Sequence, residues 1–366
     1  MAFNGTFIAP NIEPLEFGLF SVAKPNSGKD SKTEDQWTRG FYQLYDTLPN
    51  FVRNWSETSV SSYVVSDDEN SATYKEVKPI FVEVEDFRST FSATGEDRFE
   101  RILKQLEGVS QKALEIEIWN GEIAQAASLP NKYLTDTYGT VICPSGAANT
   151  AYESTRALAL LEQYSGSSSP SGESGVIHMT RDVFTAISAG GGVFVFDKDD
   201  KCVKTATGAK VIVGSGYPGS GPHRAIATIA IASNVGTITT TGNHHLKVGE
   251  TVKITSTGGV TTFNGSYAVA TVTSNTAFTA SITAANQGAT AYAGHVQMVG
   301  NDDTKWIYAT GKVQAHLGKS EVVNDTLAQG YDVSGNQNDL RIKATRSAAV
   351  YFDPSIHLGI KIDLTA

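Results

Sequence analysis

Three glycines with the spacing of a phosphate-binding loop are the residues of this chain that most directly suggest chemistry. Gly214, Gly216 and Gly219 fit the pattern G-x-G-x-x-G and follow a strand-like run, AKVIV, at 209–213. A dinucleotide-binding loop has this pattern because the glycines let the backbone approach the pyrophosphate closely. The loop must then lead into a helix, whose N-terminal N–H groups hold the phosphates.

The sequence that follows these glycines lacks the rest of such a site. Pro218 and Pro222 precede β-type sequence that begins at 225, and the stretch 235–243, where a ribose-binding acid is expected, contains no acidic residue. We therefore interpret the glycines as a connection between two parts of the fold. A nucleotide-binding enzyme that uses 214–219 remains an alternative hypothesis.

No other arrangement of residues points to catalysis, a cofactor or a metal. The sequence contains neither G-x-x-x-x-G-K-[ST] nor G-x-S-x-G nor H-E-x-x-H. The acidic runs at 67–69, 197–200 and 301–303 lack the alternating ligands of a calcium loop. His178 lies in an apolar strand and is expected to be a hydrogen-bonded core residue. We predict that the protein is not an enzyme and has no cofactor and no metal.

Composition limits the class of partner. The 366 residues are 40% hydrophobic and carry a formal net charge of −9, which argues against tight sequence-independent binding of nucleic acid. Apolar runs such as AIATIAIA at 225–232 are far shorter than the roughly 18 residues of a membrane span. We predict no membrane association.

A change of composition marks an inserted β domain at 225–298. This segment has 16 threonines, no proline and three charged residues in 74 positions. Its short β-branched runs, separated by glycine and asparagine, predict about six strands in a small β-sandwich or barrel. The strands AKVIVGSGYPG and KWIYATGKVQ on either side are expected to be neighbours in one sheet. Four residues form the predicted insertion hinge: Gly219, Gly221, Pro222 and Lys305.

The rest of the chain has an α+β pattern with parts that reach outward. Apolar residues at helical spacing predict a long helix over about 95–126. The region 37–90 alternates like strands and long hairpins but has no dense apolar block of its own. Its exposed aromatic rings need a partner surface. These side chains are therefore our candidates for contacts between subunits: Trp37, Phe41, Tyr42, Tyr45, Phe51, Trp55 and Tyr63.

Four sequence segments resemble the major capsid protein family of tailed bacteriophages, whose shell fold is shared with encapsulins. The stretch 81–134, from FVEVEDF through WNGE to NKYL, is similar to the family's strand and long spine helix. The segments 203–222 and 305–313 look like its axial-domain strands, and 348–364 looks like its last pair of strands.

The resemblance implies a division of the chain into five parts. These are an N-terminal arm, an extended loop over a neighbouring subunit, a peripheral domain that the strands 351–366 would join, a two-part axial domain, and the inserted β domain. Their expected bounds are 1–36, 37–80, 81–139, 140–224 with 299–350, and 225–298.

The resemblance also implies a function. Copies of the chain would form the hexamers and pentamers of an icosahedral shell around double-stranded DNA, with a separate scaffolding protein and a portal during assembly. The β insertion would face outward. The protein would be located in the virion after assembly in the host cytoplasm. The alternative within the same fold is the shell of an encapsulin-like cellular nanocompartment, which would hold a cargo protein.

Overall fold

The chain has mixed helix and strand content. The computed structural model describes residues 16–27, 41–45, 50–56, 59–66, 73–89, 98–137, 139–143, 149–169, 175–198, 201–256, 262–324, 331–332 and 337–365. Within these ranges the helices are α1 Leu19–Val22, α2 Arg98–Asn120, α3 Glu122–Ala126, α4 Ser154–Ser168 and α5 Arg181–Ala189.

Strands are numbered in chain order. The first twelve are β1 Asn26–Ser27, β2 Phe41–Tyr45, β3 Asn50–Ser56, β4 Ser59–Ser66, β5 Thr73–Val77, β6 Ile80–Ser89, β7 Thr140–Val141, β8 Tyr152–Glu153, β9 Val176–Thr180, β10 Phe194–Asp197, β11 Cys202–Thr205 and β12 Lys210–Gly214. The others are β13 Arg224–Ala232, β14 Val235–Thr240, β15 Thr251–Ser256, β16 Gly265–Ser274, β17 Ala277–Ser281, β18 Gln287–Ala291, β19 Gly294–Met298, β20 Thr304–Thr310, β21 Val313–Leu317, β22 Glu321–Asn324, β23 Tyr331–Asp332, β24 Gln337–Phe352 and β25 His357–Asp363.

Helix α2 is the long helix that the apolar spacing predicts, at about 34 Å in length. It is continuous through Gly108 and ends before Gly121, whose φ of 60° is left-handed. The short α3 follows, so the predicted helix 95–126 contains a break near its C-terminal end. The buried residues of α2 recur at helical spacing and include Ile102, Leu106, Leu114 and Ile118.

An eight-stranded mixed sheet forms the centre of the molecule. Its order is β10-β11-β12-β9-β20-β25-β7, with β8 also on β25. The sequence predicts β12 and β20 as neighbours, and this is wrong: β9 lies between them, parallel to β12 and antiparallel to β20. All five residues of β9 are buried, as expected for a central strand covered on both faces.

The two C-terminal strands pair with strands other than those expected from the sequence. Strand β24, most of which was assigned to the axial part, pairs with β6 over ten residues and packs in the same apolar cluster as α2. Strand β25, expected to join the peripheral part, pairs with β20 in the eight-stranded sheet. Residues 357–362 of β25 are all buried, so this strand needs a position covered on both faces.

Strands β13 to β19 pair only with one another among the described strands. Their pairings close a ring of six, β13-β14-β17-β16-β15-β19 and back to β13, and β18 adds to β13 outside it. The long strands β13 and β16 each belong to two sheets: one with β15 and β19, the other with β14, β17 and β18. The interior is apolar and includes Ile229, Ile238, Val252 and Phe278. We call this ring, 224–298, the β lobe.

The region 41–77 forms a nested antiparallel hairpin. Strand β2 pairs with β5, and β3 pairs with β4. Tyr45 lies opposite Thr73 in the outer pair, and Asn50 lies opposite Ser66 in the inner pair. In the described part of the chain, these four strands hydrogen-bond to no other sheet.

Candidate functional site

The glycine-rich loop after β12 runs against helix α2 and then into strand β13. Gly214 lies under the ring of Tyr217, where an added Cβ would come within 2.6 Å of the ring carbons. At Gly216 an added Cβ would lie 2.8 Å from the backbone oxygen of Lys112 in α2. Since no helix starts after Gly219, this loop has no helix N-terminus to hold a pyrophosphate. Close packing on α2 explains its glycines.

A buried carboxylate holds this loop on the helix. Glu115 is fully buried, and its Oε2 accepts a hydrogen bond from the Gly216 backbone N–H at 2.9 Å. Its Oε1 accepts from the Leu19 backbone N–H and from Gln111 Nε2, each at 3.0 Å. One side chain therefore ties α1, α2 and the loop together. The amide that would contact a phosphate in a nucleotide site donates to an internal acid instead.

The four predicted hinge residues lie where the chain leaves for the β lobe and returns. The Gly219 carbonyl accepts from the Trp306 N–H, and the Gly221 N–H donates to the Met298 carbonyl, both at 3.0 Å. Gly219 has a φ of 72°, and an added Cβ there would meet the Lys305 methylenes at 2.9 Å.

Other contacts make this connection a packed junction. Pro222 is buried beside Gly221. The Lys305 ammonium forms an ion pair with Asp182 of α5. This geometry is compatible with the prediction that the chain passes between two parts of the fold here. The backbone hydrogen bonds of Gly219 and Gly221 and the Lys305–Asp182 ion pair fix the connection in place.

Ser220 is the centre of the junction. Its Oγ donates to Asn120 Oδ1 at 2.9 Å and accepts from Trp119 Nε1 at 3.1 Å, and both partners are at the end of α2. Gln297 Nε2 of the β lobe donates to the same Oγ at 3.1 Å, and Tyr308 Oη of the central sheet donates to the Ser220 carbonyl at 3.1 Å. Ser220 could not be identified from the sequence, because no spacing pattern marks a buried serine in a loop.

A buried ion pair forms a second link between the β lobe and the central sheet. Lys361 of β25 is 2% exposed and Glu250 of the lobe is 5% exposed, and their charged groups are in direct contact. Lys361 Nζ also donates to the His245 carbonyl at 2.9 Å. Burial lowers the pKa of Lys361, and the Glu250 charge opposes this shift.

Two buried histidines are held neutral by their surroundings. His178 lies between Tyr217 Oη and Thr310 Oγ1, each 2.9 Å from a ring nitrogen, which confirms it as a hydrogen-bonded core residue. Burial, and then His357, lower its pKa to about 3. His223 stacks on His295 at 4.3 Å between ring centroids. Burial, and then His295, lower the pKa of His223 to about 3.

The aromatic residues proposed as contacts between subunits are mostly on the hairpin. Trp37 lies outside the described residues. The backbone of the other six belongs to strands: Phe41, Tyr42 and Tyr45 are on β2, Phe51 and Trp55 on β3, and Tyr63 on β4. Their role as contact residues stays a prediction.

The described residues contain neither a metal-binding cluster nor a helix suited to a membrane. No group of three or more His, Cys, Asp or Glu side chains arranged to hold a metal ion occurs among the described residues. In the same parts of the chain, no helix has both the length and the apolar character that crossing a bilayer requires.

Comparison with known proteins gives structural matches only. No protein-family model matches the sequence, and no curated protein does. The chain is similar in structure to phage-type capsids over almost its whole length. The capsid of a native GTA particle is 10% identical with a TM-score of 0.46, and that of an empty GTA particle is 8% identical with a TM-score of 0.45. Each match covers 99% of this chain and 95% of the other.

A phage structure gives a similar result. The match to Microbacterium phage Oxtober96 has 9% identity and a TM-score of 0.43, and it covers 99% of this chain and 95% of that one. At such identities and TM-scores, the function has to be inferred from the chain's own surfaces.

Proposed function

We propose that this chain is a structural shell subunit. In this proposal many copies self-assemble as hexamers and pentamers into an icosahedral capsid that encloses double-stranded DNA. The observation that carries the proposal is the nested hairpin of β2 to β5, whose strands pair with no other sheet of their own chain among the described residues.

A hairpin of this kind is unfavourable in an isolated subunit. Its paired segments amount to about 40 Å of ribbon at 3.3 Å per residue. A two-stranded ribbon is at best marginally stable in water, and its free edges are templates for association with other chains. The aromatic residues of β2, β3 and β4 are the residue types that stabilise interfaces when buried. A second copy of the chain supplies the surface that this hairpin needs.

The sequence resemblance to tailed-phage capsid proteins assigns roles to the other parts. Residues 1–36 are the arm that reaches across another subunit. Helix α2 is the spine of the peripheral part, and the strands of the central sheet belong to the axial part, whose tips meet around the capsomer centres. The β lobe faces outward. A net negative subunit avoids tight adhesion to the packaged DNA.

The partners and location follow from the same proposal. Assembly takes place in the host cytoplasm with a separate scaffolding protein and a portal, and the mature protein is part of the virion. The nanocompartment alternative uses the same self-association but encloses a cargo protein in place of DNA.

Size and content of the assembled protein test the proposal. The purified full chain, expressed with and without its candidate scaffolding partner, is measured by light scattering coupled to size exclusion and by negative-stain microscopy. We expect closed particles tens of nanometres across. A monodisperse 39 kDa species under every condition would refute the shell function. Nuclease-protected DNA inside particles isolated from the host supports the capsid, and an enclosed protein cargo supports the nanocompartment.

A further inference from the structure

Two stacked imidazoles lie where the base of the β lobe meets the rest of the chain. His223 directly precedes β13, and His295 is on β19; the angle between their ring planes is 13°. His223 is 4% exposed and His295 is half-buried. The His223 ring also lies 5.7 Å from the Tyr133 ring, and its backbone N–H donates to the Thr135 carbonyl at 2.7 Å. His223 therefore bridges the lobe and the segment 133–135, which follows α3.

The charged side chains that act on this pair are cations. Arg224, at the start of β13, acts on His223, and Lys253 of β15 acts on both imidazoles. Within the described ranges, no carboxylate forms an ion pair with either ring. A hydrogen bond with the Gln297 side chain favours a charged His223 but does not outweigh burial and His295. A proton added to this pair is therefore held beside a second imidazole and two cations, without a counter-ion.

This junction is suited to neutral imidazoles. On the two strands next to β19, the residues opposite His295 are Thr255 and Ala225, which carry no charge. Burial lowers the pKa of both rings, that of His223 to about 3. In an open junction both rings would be hydrated, with the ordinary histidine pKa of about 6.5. The open junction then binds more protons below pH 6.5, and acidification favours it.

The base of the lobe can open on this side while the lobe stays folded. Its ring of six strands closes on itself around its own apolar interior. Beside the stacked pair, Gln297 Nε2 donates across the junction to Asn120 Oδ1 at 3.2 Å and to Ser220 Oγ at 3.1 Å. The second attachment, between Glu250 and Lys361, contains no imidazole.

We propose that the stacked pair of His223 and His295 is an acid-sensitive latch for the β lobe. At neutral pH the latch holds the base of the lobe against the segment 133–135. At mildly acidic pH the charged rings repel each other, this side of the junction opens, and the lobe stays tethered through Glu250 and Lys361. The latch acts within one subunit, so it goes beyond the shell function and does not depend on it.

Amide hydrogen exchange at pH 7, 6 and 5 tests the latch. The full chain is kept in one assembly state, checked by size exclusion, and the exchange rates are corrected for the intrinsic effect of pH. The reporting segment is 221–224, which contains the His223 N–H donor, and strand β14 inside the lobe is the reference. The variants are His223→Gln, His295→Gln and their combination. His316→Gln, on β21, is the control.

We expect the protection of 221–224 to fall by about tenfold or more between pH 7 and pH 5, while β14 stays protected. The upper limit is about tenfold per histidine for each pH unit below 6.5. Each single variant should reduce this fall, and the double variant should remove it, whatever its protection at pH 7. The control should keep the pH dependence of the wild type.

Three results would overturn the inference. These are equal protection of 221–224 at pH 7 and pH 5 in the wild type, an undiminished fall in the double variant, and a fall shared by β14, which would mean that the lobe unfolds as a whole. The expected pattern in a chain that never forms particles would support the latch even though the shell function had failed.

Discussion

At the scale of single residues, buried polar groups in this protein join segments that are distant in the sequence. Glu115 connects α1, α2 and the glycine-rich loop through three hydrogen bonds. Ser220 does the same for α2, the β lobe and the central sheet. Such groups are strong constraints because a buried donor left without its acceptor costs about 1–3 kcal/mol.

Replacing Glu115 by glutamine should therefore weaken the fold. Whichever oxygen becomes the amide nitrogen, at least one of the three N–H donors then faces an NH₂ group. We expect the free energy of unfolding in urea to fall by about 2–3 kcal/mol. The control is Glu107→Gln, on the exposed face of the same helix, which should change it by less than about 0.5 kcal/mol. Equal effects of the two substitutions would contradict the role given to Glu115.

The two neutral histidines predict a dependence of stability on pH. The unfolded pKa of histidine is about 6.5, whereas the folded pKa of His178 and of His223 is about 3. Between these two pKa values the unfolded chain binds more protons than the folded chain does, so acidification favours unfolding. The free energy of unfolding is therefore unaffected by these two histidines above pH 6.5 and decreases as the pH is lowered below it. Each histidine should remove up to about 1.4 kcal/mol per pH unit below 6.5.

Urea denaturation at pH 7, 6 and 5 measures this effect. His178→Gln and His223→Gln should each flatten the profile relative to the wild type, even if the variant is less stable at pH 7. Parallel profiles for the wild type and both variants would mean that these histidines are not held neutral in the fold.

At the scale of elements, the main finding is how the β lobe is attached. The outgoing and returning segments pair through Gly219 and Gly221, and the Glu250–Lys361 pair forms a second connection from the lobe to β25. With two buried attachments, the lobe is expected to move with the central sheet as one unit.

The ion pair gives a sharp prediction for this attachment. Lys361→Met leaves the Glu250 carboxylate buried without its partner and should cost about 3–5 kcal/mol. Adding Glu250→Gln should recover part of this loss, since the uncompensated charge is then removed. The free energies of unfolding of Lys361→Met, Glu250→Gln and the double variant, measured in denaturant, form a double-mutant cycle for this ion pair. Lys104→Met, in an exposed pair with Glu100, is the control and should change stability by less than about 1 kcal/mol.

Two glycine substitutions should have opposite effects. Gly216→Ala drives a methyl group into the α2 backbone at Lys112 and should destabilise by about 1–3 kcal/mol. Gly166→Ala lies in α4, where an added Cβ meets nothing within 4 Å, and should stabilise by about 0.5–1 kcal/mol. Thermal unfolding compares the two. Similar melting temperatures would show that Gly216 is not required by packing on the helix.

Composition and periodicity predicted the elements that contrast with their surroundings. The short β-branched runs at 225–298 predicted strands, and seven strands, β13 to β19, lie at 224–298; that this segment is an inserted domain stays a prediction. The apolar spacing predicted α2. These signals are local, since a closed ring and an amphipathic helix each bury residues that are near one another in the sequence.

Pairing between distant segments could not be predicted in the same way. Strands β9, β12, β20 and β25 are all short and apolar, so the sequence does not specify which of them are adjacent. The sheets that β24 and β25 join also depend on contacts with segments distant in the sequence, β6 and β20, which local composition does not show. The break at Gly121 was missed because Gly108, inside the same pattern, is indistinguishable from it until the backbone dihedral angles are known.

At the scale of the whole molecule, the proposed shell function depends on how copies of the chain would associate. In this proposal the contact is made by the hairpin strands β2 to β5, which pair with no other sheet among the described residues. Each contact is weak in isolation, but closed symmetry repeats it over the particle. The proposed function would therefore depend on a surface that contributes little to the stability of one subunit.

Shortening the hairpin should separate assembly from folding. Replacing 46–72 by Asn-Gly joins Tyr45 to Thr73, which already lie opposite each other, through a two-residue turn. We expect a folded monomer, with a melting temperature near that of the unassembled wild-type subunit, that forms no particles in negative-stain images. A chain with 170–174 replaced by glycine and serine serves as the control and should assemble. Shells built from the shortened chain would exclude the hairpin as an essential contact.

The position of β25 has a consequence for the order of events during synthesis. The β lobe is encoded without interruption and is complete at residue 298, whereas the central sheet has to wait for residue 363. At translation rates of about 5–20 residues per second, those 65 intervening residues take roughly 3–13 s. From the completion of β20 at residue 310 until β25 is made, β20 lacks its partner on one side and presents an apolar edge. We expect a nascent chain at this stage to be prone to bind chaperones or to associate with other incomplete chains through this unpaired edge.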